Sequence, residues 1–400
     1  MTVQIAFKSH SNDNVIEITI HKNKKITSVK VDDSNGSIQP PVACTTEQKS
    51  IIMKHLDPTL CHKDQGRAFE QKCSLTQATK CPKQTWITDY YQDKHDKKNH
   101  DDHDTAAGDS SFVAVYVGCN KGYDAVNTLR MGSGDKRYNK KDWRGQLQET
   151  YESVCAQNED DLEFPIHHDH SASLLRSGSG SSSPIIDATV HCLEPTPRLA
   201  DRLLSSVKNL GWDNNLLVTQ AAISRNNGEM YFPNPRKVIG VENQGLSNCA
   251  KLLAKGEEYM KKVCVKVNVF TLDHYMENVT TKKATGMIDL LSIDVEGFDF
   301  DVMLGGSNTL SKTKYLEFEY NWMGSWETQN LKDAIKYLDE FGFTCYWAGT
   351  DRLWRIDESC WLDHYDFHTW SNVACVNRIL QPEVAKNMED TFLRTLSENR

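Results

Sequence analysis

Residues 112–125 read FVAVYVGCNKGYDA. Branched and aromatic side chains from Phe112 to Val117 suit a buried strand, and Gly118 ends it. The helix-like stretch YDAVNTLRM follows Gly122. A strand that passes through a glycine elbow into a helix is the opening unit of an α/β sheet, and an elbow without Cβ atoms lets a ligand approach the backbone. Gly118, Asn120 and Gly122 are therefore the first candidates for a cofactor loop. The stretch lacks the lysine and hydroxyl pair of a phosphate-binding P-loop and the third glycine of a dinucleotide fingerprint.

Strand-like runs recur downstream: IIDATVHCL, NLLVTQAAI, IDLLSIDV, KYLEFEY, FTCYWA and SNVACV. Amphipathic stretches such as TPRLADRLLSSVKNLG and WETQNLKDAIKYLDEFG separate several of them. That alternation predicts a doubly wound, mostly parallel α/β sheet. The last two runs are joined by DRLWRIDESCWLDHYDFHTW instead of a clear helix, which permits an antiparallel final strand. The boundaries expected are a β-hairpin region over 1–42, a cysteine-containing segment with a charged linker over 43–105, and the main domain over 106–400. An insertion near 131–184 ends in the flexible RSGSGSSSP.

Composition excludes some functions. The 400 residues include 46 Lys and Arg against 55 Asp and Glu, a formal net charge of -9. Nucleic acid is thus not expected as a partner. No apolar run reaches the roughly 18 residues of a membrane span, and MTVQIAFKSH lacks a signal-peptide layout. Against that stand 12 cysteines and the sequons at Asn35 and Asn278. We expect a disulfide among Cys44, Cys61, Cys73 and Cys81, and a secretory compartment in preference to the cytoplasm.

Two strand ends supply acids. CLEPTP places Glu194 where a carboxylate accepts hydrogen bonds from ribose hydroxyls, although an acid at a helix start reads the same way. In IDLLSIDVEGFDFDVMLGG, Asp294 and Glu296 emerge at a strand's carboxyl end, and Gly297 turns the chain into a helix. With the strands ordered 3-2-1-4-5, Asp294 faces the Gly118–Gly122 elbow across the switch point. Glu319, at the end of the next strand, and His274 are further possible bases. The histidine clusters HDKKNHDDHD and HHDH read as solvated segments, and no metal site is expected.

VGCNKGYDA, CLEPTP, VTQAAIS and the DVEG stretch with its downstream LGG together resemble the FkbM-type S-adenosylmethionine-dependent methyltransferases. The resemblance covers about 112–378 and leaves 1–105 unexplained. It implies a class I methyltransferase, Rossmann-like fold with a reversed last strand, S-adenosylmethionine as cofactor, and O-methylation of a hydroxyl on a sugar or other small-molecule or glycan acceptor. Gly118, Asn120 and Gly122 then match the cofactor loop, Glu194 the ribose acid, Ala222 the adenine-side strand end, and Asp294 with Glu296 the catalytic edge. Tyr116 stands where the family has an aspartate beside the cofactor's ammonium, so Tyr116→Asp is expected to tighten cofactor binding. The alternative is a methyltransferase-like domain that binds a ligand or partner without catalysis.

Overall fold

The computed structural model describes residues 43–56, 78, 79, 82, 84–96, 111–147, 187–232, 249, 256, 258, 259, 263–280, 286–357 and 359–398, and the backbone alone of 3–8, 15–20, 26–31, 97–100 and 233. Two compact units result. Met1–Val42 with Asp102–Ser110 form one, and Ala43–Asp101 with Ser111–Arg400 the other. In the first, β1 (Val3–Lys8), β2 (Val15–Ile20) and β3 (Ile26–Val31) make an antiparallel three-stranded meander where the sequence suggested a hairpin.

The large unit is built on an eight-stranded sheet. Its strands are β4 (Ser111–Val117), β5 (Asp187–Leu193), β6 (Leu216–Thr219), β10 (Leu290–Ile293), β11 (Tyr315–Tyr320), β12 (Phe343–Gly349), β13 (Arg352–Arg355) and β14 (Ser371–Asn377). They lie in the order β13-β12-β14-β11-β10-β4-β5-β6. The β4, β5, β6, β10 and β11 neighbours pair in parallel, while β14 runs antiparallel to both β11 and β12. The reversed strand and the β4–β10 neighbourhood are those expected for a class I methyltransferase fold, with β13 an extra edge strand.

A second sheet was not legible. β7 (Ala222–Ile223), β8 (Gly228–Pro233) and β9 (Cys264–Phe270) form it in the order β7-β9-β8. VTQAAI is thereby split between the two sheets: Thr219 ends β6 and Ala222 opens β7.

Helices cover the faces. α1 (Thr46–His55) starts at the capping box of Thr45 and Gln48. α2 (Thr85–His100) replaces the charged linker expected at its end, because Trp86, Ile87 and Tyr91 are buried in the common core. Trp86 Nε1 donates to Tyr315 Oη at 2.9 Å, and Tyr91 Oη to Asp289 at 3.2 Å. The segment expected as a separate piece therefore packs on the sheet and belongs to the same unit. α3 (Tyr123–Ser133) and α5 (Pro197–Leu210) follow β4 and β5, with α4 (Lys140–Leu147) between them. The short α6 (Leu272–His274) leads into a π-turn at Tyr275–Val279, and α7 (Asp299–Leu304) and α8 (Ser307–Leu310) follow β10. α9 (Leu331–Asp339) and α10 (Pro382–Glu398) complete the set.

Four disulfides join described cysteines: Cys44–Cys360, Cys119–Cys192, Cys249–Cys264 and Cys345–Cys375. Cys44 thus pairs outside the N-terminal group, across a sequence separation of 316. Ser359 beside that bridge also accepts the Cys44 N–H, at 3.4 Å. Cys61, Cys73 and Cys81 lie outside the described residues, as do HHDH and most of the insertion.

Candidate active site at the carboxyl edge of the sheet

Strand register assembles the site. Tyr116, Ser292 and Glu317 are aligned on β4, β10 and β11, and so share a face of the sheet. One row further, at the carboxyl edge, comes Val117 with Ile293 and Phe318, and then Gly118, Asp294 and Glu319. Asp294 N–H donates to the Val117 carbonyl at 2.9 Å. The first and fourth strands of the fold are thereby neighbours, and Asp294 lies against the elbow as the sequence implied.

The glycines have a cause within the chain itself. Gly118 sits at φ 85°, and a Cβ there would collide with the Asp294 carbonyl. Gly122, at φ 72°, lies against the Trp143 ring. Trp143 Nε1 in turn donates to the Lys121 carbonyl at 2.7 Å. The backbone N–H groups of Gly118 and Cys119 both donate to the Leu193 carbonyl at 3.0 Å. The Cys119–Cys192 disulfide adds a covalent tie between the same loop and the end of β5.

Glu194 closes this corner. It is buried, with Oε2 accepting from Asn120 N–H at 3.1 Å and Oε1 from Thr196 N–H at 2.8 Å. Burial raises its pKa to about 7, and those two hydrogen bonds oppose the rise. As placed, Glu194 holds the Gly118–Gly122 elbow to α5's first turn, and its remaining lone pairs could accept from a ligand hydroxyl. Asn120 lies in the left-handed region at φ 47°, and its Oδ1 is buried without a hydrogen-bond partner. An orphaned acceptor at the tip of this loop fits a ligand that brings an N–H group, as the S-adenosylmethionine ammonium does.

Tyr116 is turned elsewhere. Its hydroxyl makes a 2.5 Å hydrogen bond with Thr128 Oγ1 on α3. Burial, followed by the nearby carboxylates of Asp124 and Glu317, pushes its pKa well above 10. Glu317 accepts from Gln84 Nε2 at 2.5 Å and is itself raised to about 7, chiefly by burial. Ala222 is buried in β7, paired with Val269, and borders the end of β6.

The DVEG turn carries the acids. Asp294 is exposed at the edge, and Glu296 is half-buried at φ 55°. Gly297, at φ 96°, would place a Cβ on the Met323 carbonyl, and its own carbonyl accepts from Ser325 N–H at 2.9 Å. The turn is thus clamped to the loop after β11, and that loop also carries Trp326, stacked on Phe300. Glu319 is raised well above the usual carboxylate range by burial and by the charges of Asp294 and Asp299, while a hydrogen bond from Trp370 works against the rise.

Sequence reasoning missed Asp299, Trp370 and the two acids on the Tyr116 face. Asp299 and Asp294 are both within the quoted IDVEGFDFD stretch. The signal available was an aspartate in the first turn of a helix whose neighbours, Phe300, Val302 and Met303, are apolar. His274 is not brought to the acid edge: its N–H is capped by Thr271 at 3.1 Å and its ring stacks on Phe270. Among the described residues no three metal-ligating side chains converge, and no helix is long and apolar enough to cross a membrane.

Residues 187–345 match the model of the methyltransferase FkbM domain. The 2-O-methyltransferase NoeI of Sinorhizobium fredii (strain NBRC 101917 / NGR234) is 26% identical over 155 residues, covering 38% of this chain and 63% of that protein. A crystallised O-methyltransferase from Bacillus cereus in complex with SAH aligns over 77% of this chain and 97% of its own, at 10% identity and a TM-score of 0.23. The resemblance to FkbM-type methyltransferases thus holds over the stretch that carries Glu194, Ala222, Asp294 and Glu296.

Proposed function

We propose that this protein transfers a methyl group from S-adenosylmethionine to a hydroxyl of a sugar or another small-molecule or glycan acceptor. The observation that carries the reading is the exposed Asp294, which lies inside the FkbM-matched stretch 187–345 and packs beside the Gly118 elbow. When bound, the cofactor supplies an activated methyl group. The chain's task is then to orient the acceptor oxygen and take its proton. Asp294 is the base in this proposal, and Glu296 borders the acceptor. Gly118, Asn120 and Gly122 shape the loop for the cofactor's amino-acid end, Glu194 meets the ribose, and Ala222 lies on the adenine side.

Titration calorimetry with S-adenosylhomocysteine tests the cofactor half. Labelled methyl transfer to a panel of sugars and glycans tests the rest. Absence of binding would refute the proposal. A second reading, ligand binding without catalysis, draws on Tyr116 being committed to Thr128 and Glu194 to two backbone amides. Cofactor binding with no transfer to any member of the panel would favour it.

The proposal extends to location. Four disulfides among the described residues suit an oxidising, secretory compartment. Non-reducing peptide mapping of protein from its native source checks this: free thiols at Cys119 and Cys192 would overturn it.

A further inference from the structure

Asn278, Val279 and Thr280 form a sequon that the methyl-transfer scheme does not use. The stretch begins where β9 ends. Thr271 caps α6, its side chain accepting from His274 N–H at 3.1 Å, and the helix then widens into the π-turn Tyr275–Val279. That turn closes through Thr280 N–H, which donates to the Tyr275 carbonyl at 3.1 Å. In an α-helix, residues 275 and 278 share a face. The wider turn separates them: Tyr275 and Met276 are buried, while Glu277 and Asn278 are exposed. Single π-turns set into helices recur at functional sites.

The fold treats the two ends of the sequon differently. Asn278 Nδ2 lies 3.5 Å from His274 Nδ1, one turn earlier, at an exposed position. A hydrogen bond of that length is weak, so the amide nitrogen is accessible to chemistry. Thr280, by contrast, is only 8% exposed. Its Oγ1 lies 3.3 Å from His191 Nδ1 on β5, and Tyr275 Oη lies 3.1 Å from the same nitrogen. Val279 between them packs against the core. A hydroxyl two residues on is what sets a sequon apart from any other asparagine, and here folding takes that hydroxyl inside.

We propose that Asn278 is an N-glycosylation site, and that its sugar is added before the π-turn docks on β5. The inference rests on the oxidising, secretory location proposed above, which the four disulfides support. The donor is an oligosaccharide carried on a polyisoprenyl pyrophosphate. A bond forms between Asn278 Nδ2 and the anomeric carbon of the first sugar as that carbon's bond to the pyrophosphate oxygen breaks. The pyrophosphate leaves with the electron pair, and Nδ2 gives up one proton to a base of the transferase. In the folded chain such an enzyme meets Asn278 without the Thr280 hydroxyl; in the unfolded chain it meets both. The finished glycan stands in solvent beside the exposed Glu277, and Thr280 is left to reach His191 as the domain closes.

The test begins with the full chain from its native source. A peptide N-glycosidase acting in heavy-oxygen water turns each glycosylated asparagine into a labelled aspartate, and peptide mapping should find that label at position 278. The order of events is read with unmodified chain made in bacteria and offered to microsomal membranes that hold the lipid-linked oligosaccharide. Folded chain with its bridges closed should take no glycan at Asn278. Reduced, unfolded chain should take it, as should its Thr280→Ser variant, whereas Thr280→Val should not. These variants are read unfolded, so their own folding does not enter. An unlabelled Asn278 in native protein whose Cys119–Cys192 bridge is closed would overturn the site. Free thiols at Cys119 and Cys192 together with an unlabelled Asn278 would sink the location reading and the site with it. Equal acceptance by folded and unfolded chains would refute the order of events.

Discussion

Replacing Tyr116 with aspartate restores the residue expected of an FkbM-type cofactor loop, and the structure predicts that the change does harm. Tyr116 loses its 2.5 Å hydrogen bond to Thr128, a loss of about 1 kcal/mol. The aromatic ring leaves the core, which at a partly buried site costs about 2 kcal/mol more. The new carboxylate lies near Asp124 and Glu317, the two acids that already push the Tyr116 hydroxyl's pKa up. Like charges in a buried setting add about 1 to 2 kcal/mol, or force the newcomer to protonate. The sum is a destabilisation of about 4 kcal/mol. Tyr116→Phe keeps the ring and removes only the hydroxyl, so it should cost about 1 kcal/mol.

Thermal unfolding of the three proteins side by side, with S-adenosylhomocysteine titrated into each, checks this. A domain of this size shifts by about 2 °C per kcal/mol, so Tyr116→Asp should melt about 8 °C lower and Tyr116→Phe about 2 °C lower. Cofactor affinity should not rise in either. An aspartate variant that melts like the wild type and binds more tightly would mean that position 116 faces the cofactor, and that the Thr128 bond does not fix the side chain.

Asp294→Asn should cut methyl transfer by about 10² to 10⁴ with little change in melting temperature, read with any acceptor that the wild type accepts. Glu194 is raised from 4.5 to about 7, so the stability that its protonated form contributes is present in acid and lost as pH rises through 7. Glu194→Gln should therefore gain on the wild type by about 3 kcal/mol between pH 4.5 and 8, measured by denaturant unfolding at each pH. Gly118→Ala puts a Cβ on the Asp294 carbonyl at φ 85° and should cost about 3 kcal/mol or more, seen as poor soluble yield or a strongly lowered Tm. Substituting both Cys119 and Cys192 with alanine opens a loop across a separation of 73 residues, worth about 4 kcal/mol by loop entropy, again read by unfolding.

The sheet was legible because its strands are long apolar runs bounded by helix signals; the missing helix before SNVACV permitted a reversed strand, and the family resemblance implied one. The second sheet was hidden because β7 has two residues and β9 alternates with lysine and asparagine, VKVNV, like a half-exposed edge. Disulfide partners were beyond reach: Cys44 and Cys360 lie at opposite ends of the chain, and only the fold brings β13's outgoing loop to the start of α1. Asp294, Glu194 and the glycines were placed on the correct strand ends by the position rule for α/β sheets. What spacing cannot report is which way a side chain turns. Tyr116 faces α3 because Thr128 waits there, and Glu194 is occupied because Asn120 and Thr196 point their amides at it.

That occupation explains why the elbow is tied so heavily. A loop of left-handed residues has few conformational wells to rest in, and Gly118, Asn120 and Gly122 all sit at positive φ. Left to itself it would exchange among shapes. Here the Leu193 carbonyl takes two of its amides, Glu194 takes a third, and the Cys119–Cys192 bridge joins the same two segments. All three ties end on β5 or one residue beyond it, the strand that leads into Glu194, the proposed ribose acid. The shape of the Gly118–Gly122 elbow is therefore set by β5, the strand that in the proposed function meets the other half of the same ligand. Loosening β5 should weaken binding at both ends of the cofactor together, and the double alanine variant at Cys119 and Cys192 should lose affinity for S-adenosylhomocysteine and for 5′-methylthioadenosine, which lacks the amino-acid end, by the same factor. Loss confined to S-adenosylhomocysteine would show that the bridge shapes the elbow alone.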